Sequence, residues 1–223
     1  MADSAVMPST SDPSDSTDGF DLAEIAVVVL AAGTGRRLGL GPKAHVRLGD
    51  ETFLSRVVRA CRGAGLGKTW VVGSVEDRLI EGACAALGAS LAVNIDPARG
   101  MSSSVHVGLA ATFGSGVSGV LSGVMIFPVD VPLVRPATVR AIAEGLRAGN
   151  DVWARPVFEG AHGHPIAIGP GLIPKLMAMG DDVPLREALR QLGASAVDVS
   201  CLDRGVVADI DLPKDLEAWT SLP

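Results

Sequence analysis

Short apolar runs alternate with glycine-rich or polar segments along most of the chain. The run AVVVL, which starts at Ala26, is valine-rich and ends at glycines, as is typical of a buried strand in a parallel sheet. Residues 52–62 place their apolar side chains on one helical face. Further elements are predicted as strand 69–72, helix 77–87, strand 90–95, helix 102–113, strand 124–129 and helix 137–148. This alternation predicts a single doubly wound, mostly parallel α/β sheet.

The pattern changes after residue 150. Two short strands, 151–158 and 165–168, flank the loop 159–164 and predict an antiparallel insertion. The remaining elements are predicted as helices 172–179 and 184–192, strands 196–199 and 206–210, and a helix from Pro213. We therefore expect one Rossmann-like domain, residues 23–223, without internal repeats.

The first 22 residues have a different composition from the rest of the chain. They contain five Asp, no Lys or Arg, and many Ser, Thr and Pro. Such a segment buries too little apolar surface to fold, so residues 1–22 are predicted to be a disordered acidic tail. The segment also lacks the basic start and apolar core of a signal peptide. The whole chain has 25 acidic and 19 basic residues, so the part after residue 22 has 20 acidic and 19 basic residues. This nearly neutral balance does not indicate a nucleic-acid-binding surface.

Composition also bears on the compartment. The sequence has no apolar stretch near the eighteen or so residues of a membrane span, and we expect no membrane partner. Cys61, Cys84 and Cys201 form no CxxC pair, and two of them fall on apolar helical faces. The simplest interpretation is a cytoplasmic protein with reduced thiols.

The loop after the first apolar run has the chemistry of a polyphosphate site. It contains Gly33, Gly35, Arg36 and, after Pro42, Lys43. Glycines let backbone N–H groups approach an anion, and the basic side chains supply positive charge. The spacing fits neither the dinucleotide fingerprint nor the P-loop. The alternative is an ordinary glycine-rich turn with surface arginines.

Three further segments fall near predicted strand ends, on the same rim of the sheet: GMSSSV from Gly100, VDVP from Val129, and DIDLPKD from Asp209. Asp130 is placed either to bind Mg²⁺ or to form an Asx-turn before proline. Asp209 and Asp211 lie two residues apart on a predicted strand, so they share a face. One would complete the metal site and the other would cap the next helix, and we favour Asp211 as the ligand.

Hydroxyl and imidazole groups supply further candidates. The serines 102–104 either cap a helix or contact a base or ribose. His162 and His164 lie in a loop with Gly163 that predicts a rigid turn, and His164 could contact an anionic acceptor. No thiolate or third histidine is near in sequence, so zinc is not expected. His45 and His106 are predicted to serve packing.

The motifs LAAGTGRRLG, PK, GMSSS, DVP, GHP and DIDLPKD, spread from about Ile25 to Trp219, together resemble the molybdenum cofactor cytidylyltransferases of the molybdopterin nucleotidyltransferase group. In that family LAAG and a GMSSS-like segment accompany cytosine, whereas the guanylyltransferases carry LAGG. The resemblance implies a Rossmann-like nucleotidyltransferase fold and an acceptor site at Gly163 and His164. It implies nucleotide contacts from Leu30, Ala31, Ala32, Gly33, Gly35, Arg36, Lys43, Met101, Ser102, Ser103 and Ser104.

The resemblance also implies a reaction. The terminal phosphate of molybdopterin, with or without molybdenum, attacks the α-phosphorus of CTP and releases pyrophosphate. Arg36 and Lys43 would offset charge on the phosphates, and Mg²⁺ would be held by Asp130 and Asp211, with Asp209 as the alternative ligand. A molybdoenzyme or its chaperone would be a further partner.

Two departures from the family concern the acceptor side and the phosphate loop. The chain has GDDVPLREAL from Gly180 where family members often show GDxGxR, and His45 stands where leucine is more usual. Alternatives are therefore guanylyl transfer, another small phosphorylated acceptor, and a non-catalytic carrier of the pterin cofactor.

Overall fold

The computed structural model describes residues 19–33, 35, 38–114 and 121–220. In these residues eight strands form one central sheet, and a separate two-stranded hairpin follows the first strand. The sheet contains β1 Ile25–Leu30, β4 Thr69–Ser74, β5 Ser90–Asn94, β6 Gly123–Pro128, β7 Val152–Phe158, β8 Ala161–His162, β9 Ile166–Ile168 and β10 Ser195–Ser200, and the hairpin contains β2 Arg47–Leu48 and β3 Glu51–Thr52.

The strand order is β10-β7-β9-β6-β1-β4-β5, with β8 paired to β7. The pairs β1–β4, β1–β6, β4–β5 and β7–β10 are parallel. Strand β9 runs antiparallel to both of its neighbours, β6 and β7. The predicted mostly parallel sheet with a short antiparallel insertion is confirmed.

Helices cover both faces of this sheet. They are α1 Phe53–Gly63, α2 Ile80–Ala86, α3 Met101–Gly114, α4 Pro136–Glu144, α5 Leu172–Ala178, α6 Leu185–Gln191 and α7 Pro213–Thr220. Two predicted helices are shorter than expected. Helix α2 begins at Ile80 because Asp77 forms a turn that accepts the Leu79 N–H, and α4 passes into a 3₁₀ turn, Gly145–Ala148.

Alternation along β1 divides the core into two parts. Val27 and Val29 belong to the buried cluster that includes side chains of α1 and α4. Val28 and Leu30 belong to the opposite cluster, which includes side chains of α3, α5 and α6. A strand buried on both faces reads as a continuous apolar run, which is why β1 is the clearest element in the sequence.

The predicted strand 206–210 is wrong. This segment forms a 3₁₀ turn, Arg204–Val207, and then an irregular stretch. The buried Asp203 carboxylate accepts the Gly205 N–H and thereby starts the turn. Val206 and Ile210 are buried and anchor this loop to the core. Their apolar side chains resemble the pattern of a buried strand, which explains the wrong prediction.

The end of the predicted acidic tail contacts the domain. Phe20 and Leu22 pack partly buried against the core, and the Arg147 guanidinium lies 4.4 Å from the Phe20 ring centroid. The backbone N–H of Asp21 donates to Ser122 Oγ at 3.0 Å. The domain therefore includes residues that the composition assigned to the tail. The disorder predicted for residues 1–18 concerns a part of the chain outside the described ranges and stays a prediction.

The cysteines are free thiols, and Cys61 and Cys84 are buried as expected. Burial raises the pKa of the Cys61 thiol, and burial together with the nearby Asp77 charge raises the pKa of Cys84 to about 11. Among the described helices, none is both long enough and apolar enough to cross a membrane.

The Asp203 carboxylate is a testable anchor of the fold. It accepts from Arg135 N at 2.8 Å, Thr138 Oγ1 at 2.7 Å and Gly205 N at 3.1 Å, and the residue is only 4% exposed. Asp203→Ala should lower the free energy of unfolding by about 2–4 kcal/mol, because each buried donor left without a partner costs about 1–3 kcal/mol. Urea titration measures the change. Asp151→Ala, which removes an exposed ion pair with Lys175, is the control, and an equal loss there would contradict the assignment.

Candidate functional site

Three charged side chains from distant parts of the sequence meet at one edge of the sheet. The Lys43 ammonium donates to Asp130 Oδ2 at 2.7 Å and to Asp211 Oδ1. Lys43 lies in the 3₁₀ turn Lys43–His45, Asp130 follows β6, and Asp211 precedes α7. The Lys43 side chain is 13% exposed, so the cluster is largely shielded from water on the lysine side. We call these residues the lysine–carboxylate cluster.

Backbone hydrogen bonds assemble the cluster. The N–H of Val129 donates to the Leu30 carbonyl at 3.1 Å and holds the end of β6 beside the end of β1. The N–H of Ile210 donates to the Asp130 carbonyl at 2.9 Å and fixes the DIDLP segment against that turn. The cluster therefore rests on the ends of two central parallel strands, where α/β sheets bind ligands.

The division of roles between Asp209 and Asp211 differs from the expectation. The Asp215 carboxylate accepts from Leu212 N at 2.8 Å and from Asp211 N at 3.2 Å. An acidic residue in the first turn of α7 thus caps the helix, so neither Asp209 nor Asp211 is needed for that task. The two residues do not share a strand face, since no strand forms there. Asp211 nevertheless joins the cluster with Asp130.

The charges of the cluster are mutually dependent. Burial opposes the charged form of Lys43, but the hydrogen bonds that the ammonium donates to Asp130 and Asp211 outweigh burial and raise the pKa of Lys43. Lys43 is therefore protonated at neutral pH. Asp209 is exposed as a residue, yet partial burial of its carboxyl and repulsion from Asp130 raise its pKa. The carboxylates need a nearby cation, which Lys43 provides.

The glycine-rich loop folds back onto the cluster. Gly35 has a φ of +62°, and a Cβ there would lie 1.9 Å from the Gly41 carbonyl oxygen. Glycine is thus required for the loop to return toward Lys43. Ala31 is 2% exposed within the core and also lines a cavity beside Gly33 and Pro42, and its predicted nucleotide contact stays a prediction. The predicted contact Arg36 lies outside the described residues and stays a prediction.

A cavity of about 200 Å³ adjoins the cluster, and we call it the first cavity. It combines three of the segments singled out in the sequence. Its lining includes Leu30, Ala32, Gly33, Lys43, Gly100, Met101, Ser104 and Asp130.

The serines near the first cavity are more constrained than expected. Asn94 Nδ2 donates to Ser103 Oγ and Ser104 Oγ, each at 2.9 Å, and Ser103 Oγ donates to the Gly100 carbonyl at 2.8 Å. These buried hydroxyls thus fix the start of α3 against β5. Ser102 lines a different cavity. Asn94 was not predicted, although a polar residue at the end of an apolar strand was a usable signal.

A second cavity of about 310 Å³ lies next to the first and shares Leu30, Met101 and Pro128 with it. Its walls are mainly apolar. They include Val105, Ile126, Trp153, Ile166, Leu185 and Leu189, and the polar or charged lining comprises Ser102, Arg155, His162, His164 and Arg186. Trp153 and the two arginines were missed because their helix and strand patterns also suit surface or core positions.

The GHP loop forms one wall of the second cavity. A Cβ at Gly163 would lie 2.2 Å from the Val206 carbonyl oxygen, which also accepts the His164 N–H at 2.8 Å. Burial lowers the pKa of His164, although Asp209 and Asp130 oppose the shift, so the ring is neutral at pH 7. Its Nδ1 atom is buried and has no hydrogen-bond partner within the described part of the chain. A buried polar atom of this kind is a natural contact for a bound ligand or water.

The other histidines contact polar groups of neighbouring elements. His106 Nε2 lies 3.1 Å from the Met177 carbonyl, which links α3 to the end of α5. His45 Nε2 lies 2.8 Å from Asp77 Oδ2, and Asp77 was another residue that sequence reasoning missed. His162 Nε2 lies 3.6 Å from Asp198 Oδ2.

The lysine–carboxylate cluster has the donor set of a hard divalent cation. Two carboxylates already converge on one cationic atom, Lys43 Nζ. Searching the described residues, we find no arrangement of three or more His, Cys, Asp or Glu side chains suited to a metal ion. The two carboxylates of Asp130 and Asp211 fit Mg²⁺, which commonly takes one or two protein carboxylates and completes its shell with phosphates and water.

Residues 27–197 match the MobA-like NTP transferase domain, so the chain belongs to this family. It is an enzyme of the nucleotidyltransferase class. A divalent metal ion is typical of nucleotidyltransferases of this family.

Two curated relatives show the breadth of the family. Nicotine blue oxidoreductase of Paenarthrobacter nicotinovorans is 27% identical over 202 residues, which cover 86% of this chain and 94% of that protein. The bifunctional enzyme IspD/IspF of Clavibacter michiganensis subsp. michiganensis is 33% identical over 162 residues, 68% of this chain but only 38% of that enzyme.

Three solved structures share the fold. A nucleotidyl transferase from Methanothermobacter thermautotroptrophicus has a TM-score of 0.72 at 24% identity, covering 88% of this chain and 95% of that one. Rv0371c of Mycobacterium tuberculosis, in complex with manganese, has a TM-score of 0.65 at 22% identity, covering 89% and 99%. Molybdopterin-guanine dinucleotide biosynthesis protein A of Archaeoglobus fulgidus has a TM-score of 0.62 at 17% identity, covering 87% and 96%.

The cluster predicts a competition between lysine and metal. Lys43→Met removes the ammonium and leaves Asp130 and Asp211 together, so affinity for Mn²⁺ without nucleotide should rise. A roughly tenfold increase is expected, since a hydrogen bond to a charged group contributes about 1.5–3 kcal/mol. Electron paramagnetic resonance of free Mn²⁺ measures it. Lys175→Met, which removes the partner of Asp151, is the control, and unchanged or weaker Mn²⁺ binding in Lys43→Met would refute the competition.

Proposed function

We propose that this enzyme transfers CMP from CTP to the terminal phosphate of molybdopterin or the molybdenum cofactor, with Mg²⁺ as the metal. The observation that carries the proposal is the pair of adjoining cavities, one of which is lined by Lys43 and Asp130. Two substrates that react at one phosphorus atom need two binding sites that adjoin each other. Both cavities are lined by Leu30, Met101 and Pro128, which marks where they adjoin.

The first cavity is assigned to the nucleotide. The base would lie near Ala32 and the start of α3, between small residues and fixed serines. The phosphates would lie near Gly33, Gly35 and Lys43, where the loop supplies backbone N–H groups. Arg36 is expected to add a second cation. These assignments agree with the LAAG and GMSSS motifs.

The chemistry is mainly electrostatic. Charge develops on the leaving pyrophosphate, and a fixed ammonium in a shielded site stabilises it. Lys43 can donate to phosphate oxygens in place of Asp130 and Asp211. Mg²⁺ held by those carboxylates, with Asp209 as the alternative ligand, would supply further charge neutralisation. No general base is needed, because a phosphate acceptor is already ionised near pH 7.

The second cavity is assigned to the acceptor. Its apolar walls suit a flat ring system, and Trp153 offers an aromatic surface. Arg155 stacks over Trp153, 4.8 Å from the ring centroid, and Arg186 is exposed at the cavity lining. Neutral His164 and Gly163 lie at the GHP wall. A phosphorylated pterin, with an apolar plane and anionic groups, matches this combination.

The alternatives predict different products. Guanylyl transfer would use the same cavities with a larger base. A non-catalytic carrier needs no metal carboxylates beside a phosphate loop, so the cluster argues against it. The oxidoreductase name of one relative makes a redox assay a necessary control. The proposed setting is cytoplasmic, with a molybdoenzyme or its chaperone receiving the product.

A nucleotide panel tests the function. With Mg²⁺ and molybdopterin, CTP should give the fastest pyrophosphate release, and Lys43→Ala should lower turnover by about 100- to 1,000-fold, as loss of one fixed donor typically does. Asp130→Asn should lose metal-dependent activity more severely than Asp209→Asn, which is the matched control. NADH and NADPH oxidation is measured in parallel. Failure to release pyrophosphate with every nucleotide of the panel, or normal metal dependence in Asp130→Asn, would count against the proposal.

Nucleotide choice gives a sharper prediction. Ala32 lines the first cavity, and its methyl group narrows the space available to a purine. A mismatch of about one methyl group is worth roughly 1–3 kcal/mol, or about tenfold to two hundredfold in specificity. Wild type should favour CTP over GTP, and Ala32→Gly should erode that preference. The ratio of kcat/KM for CTP to kcat/KM for GTP, measured in wild type and in Ala32→Gly, tests this prediction. A wild-type preference for GTP would overturn the cytidylyl assignment alone.

A further inference from the structure

His45 connects the turn that carries Lys43 to a different part of the sheet. Its Nε2 atom lies 2.9 Å from Asp77 Oδ1 and 2.8 Å from Asp77 Oδ2. His45 and Lys43 belong to the same 3₁₀ turn, two residues apart. Because a carboxylate only accepts, Nε2 must carry the proton of this contact. The imidazole can make the contact in its neutral Nε2–H form or when protonated.

Asp77 is itself firmly held. Its side chain is 5% exposed, its Oδ1 accepts the Leu79 N–H at 3.1 Å, and its own N–H donates to the Ser74 carbonyl at 3.1 Å. Ser74 ends β4, which pairs with β1 in the centre of the sheet. The His45–Asp77 contact therefore ties the lysine turn to a rigid strand end.

The remaining anchors of the turn lie on its other side. Ala44 and Val46 are buried in the core cluster that contains α1, and the Val46 carbonyl accepts the Phe53 N–H at 2.8 Å. Toward β4 there is instead a cavity of about 150 Å³, lined by residues that include Ala32, Gly33, Pro42, Ser74 and Asp77. The hydrogen bond from His45 to Asp77, one of the residues that line this cavity, is thus a side-chain contact that joins the turn to the end of β4.

We propose that His45 is a positioning residue: through Asp77 it fixes the 3₁₀ turn so that the Lys43 ammonium reaches the carboxylates and the phosphates. The contact of the Lys43 ammonium with the phosphates rests on the proposed function, whereas its contact with Asp130 and Asp211 does not. Removal of His45 also leaves Asp77 Oδ2 without the imidazole donor, so that the Leu79 N–H is the remaining described donor to this buried carboxylate. The Asp77 turn should loosen as well. Both effects act on the orientation of Lys43.

The kinetic test compares three variants by turnover, KM and melting temperature. His45→Leu keeps the bulk but removes the donor, and kcat should fall about 10- to 100-fold, because misplacing a catalytic group by about 1 Å costs up to about 100-fold. KM for the acceptor should stay near the wild-type value. His45→Gln, which restores an N–H donor, should recover most of the rate. His106→Leu, which breaks a comparable histidine contact to Met177, controls for a general structural effect.

A second measurement does not depend on turnover. The sequence has four lysines, so ¹³C-dimethylation gives few NMR signals, and Lys43→Arg identifies the one from Lys43. His45→Leu should move this signal toward those of exposed lysines, and His45→Gln and His106→Leu should leave it in place. An unmoved Lys43 signal in His45→Leu overturns the proposal, as does a kcat no lower than in His106→Leu. A moved signal in a protein that does not use CTP would retain the positioning role and reject only the proposed cytidylyl reaction.

Discussion

The ion cluster of Lys43, Asp130 and Asp211 is the constraint on which the candidate site depends. Its members are 87 and 168 residues apart in sequence, measured from Lys43. The shielded Lys43 ammonium is costly to bury without a nearby carboxylate, so its contacts with Asp130 and Asp211 favour closure of the three segments. The parallel β1–β6 pair and the Ile210–Asp130 backbone bond supply that closure. The same arrangement suits exchange of the ammonium for a metal ion when phosphates arrive.

The two cavities differ because the two halves of the fold differ. The first is built from strand-to-helix loops of the parallel half, where small residues lie beside the charged Lys43 and Asp130. The second depends on the antiparallel insertion, which brings Trp153 and the GHP loop opposite α3 and α6. Gly163 permits this loop to touch the Val206 carbonyl. These two environments match the chemistry of the substrates that we propose, a triphosphate and an apolar, anionic acceptor.

Much of the fold and part of the site could be predicted from local pattern. Buried parallel strands are continuous apolar runs, so β1, β4 and β6 were visible, as was the antiparallel insertion. Since carboxyl ends of parallel strands share an edge, the glycine loop, the GMSSS segment and Asp130 were expected to converge, and the structure places them around one cavity. The predicted strand 206–210 was wrong because a buried loop needs apolar residues just as a buried strand does.

The sequence by itself determined the α/β class, the strand-end motifs and the residue types that suit phosphate and metal. Tertiary structure decided which of these residues meet: Asp211 with Lys43, and His45 with Asp77. The physical reason is that periodicity records only whether a side chain faces the core. A hydrogen bond between residues dozens of positions apart leaves no local pattern, and only the folded chain sets its partners and distances.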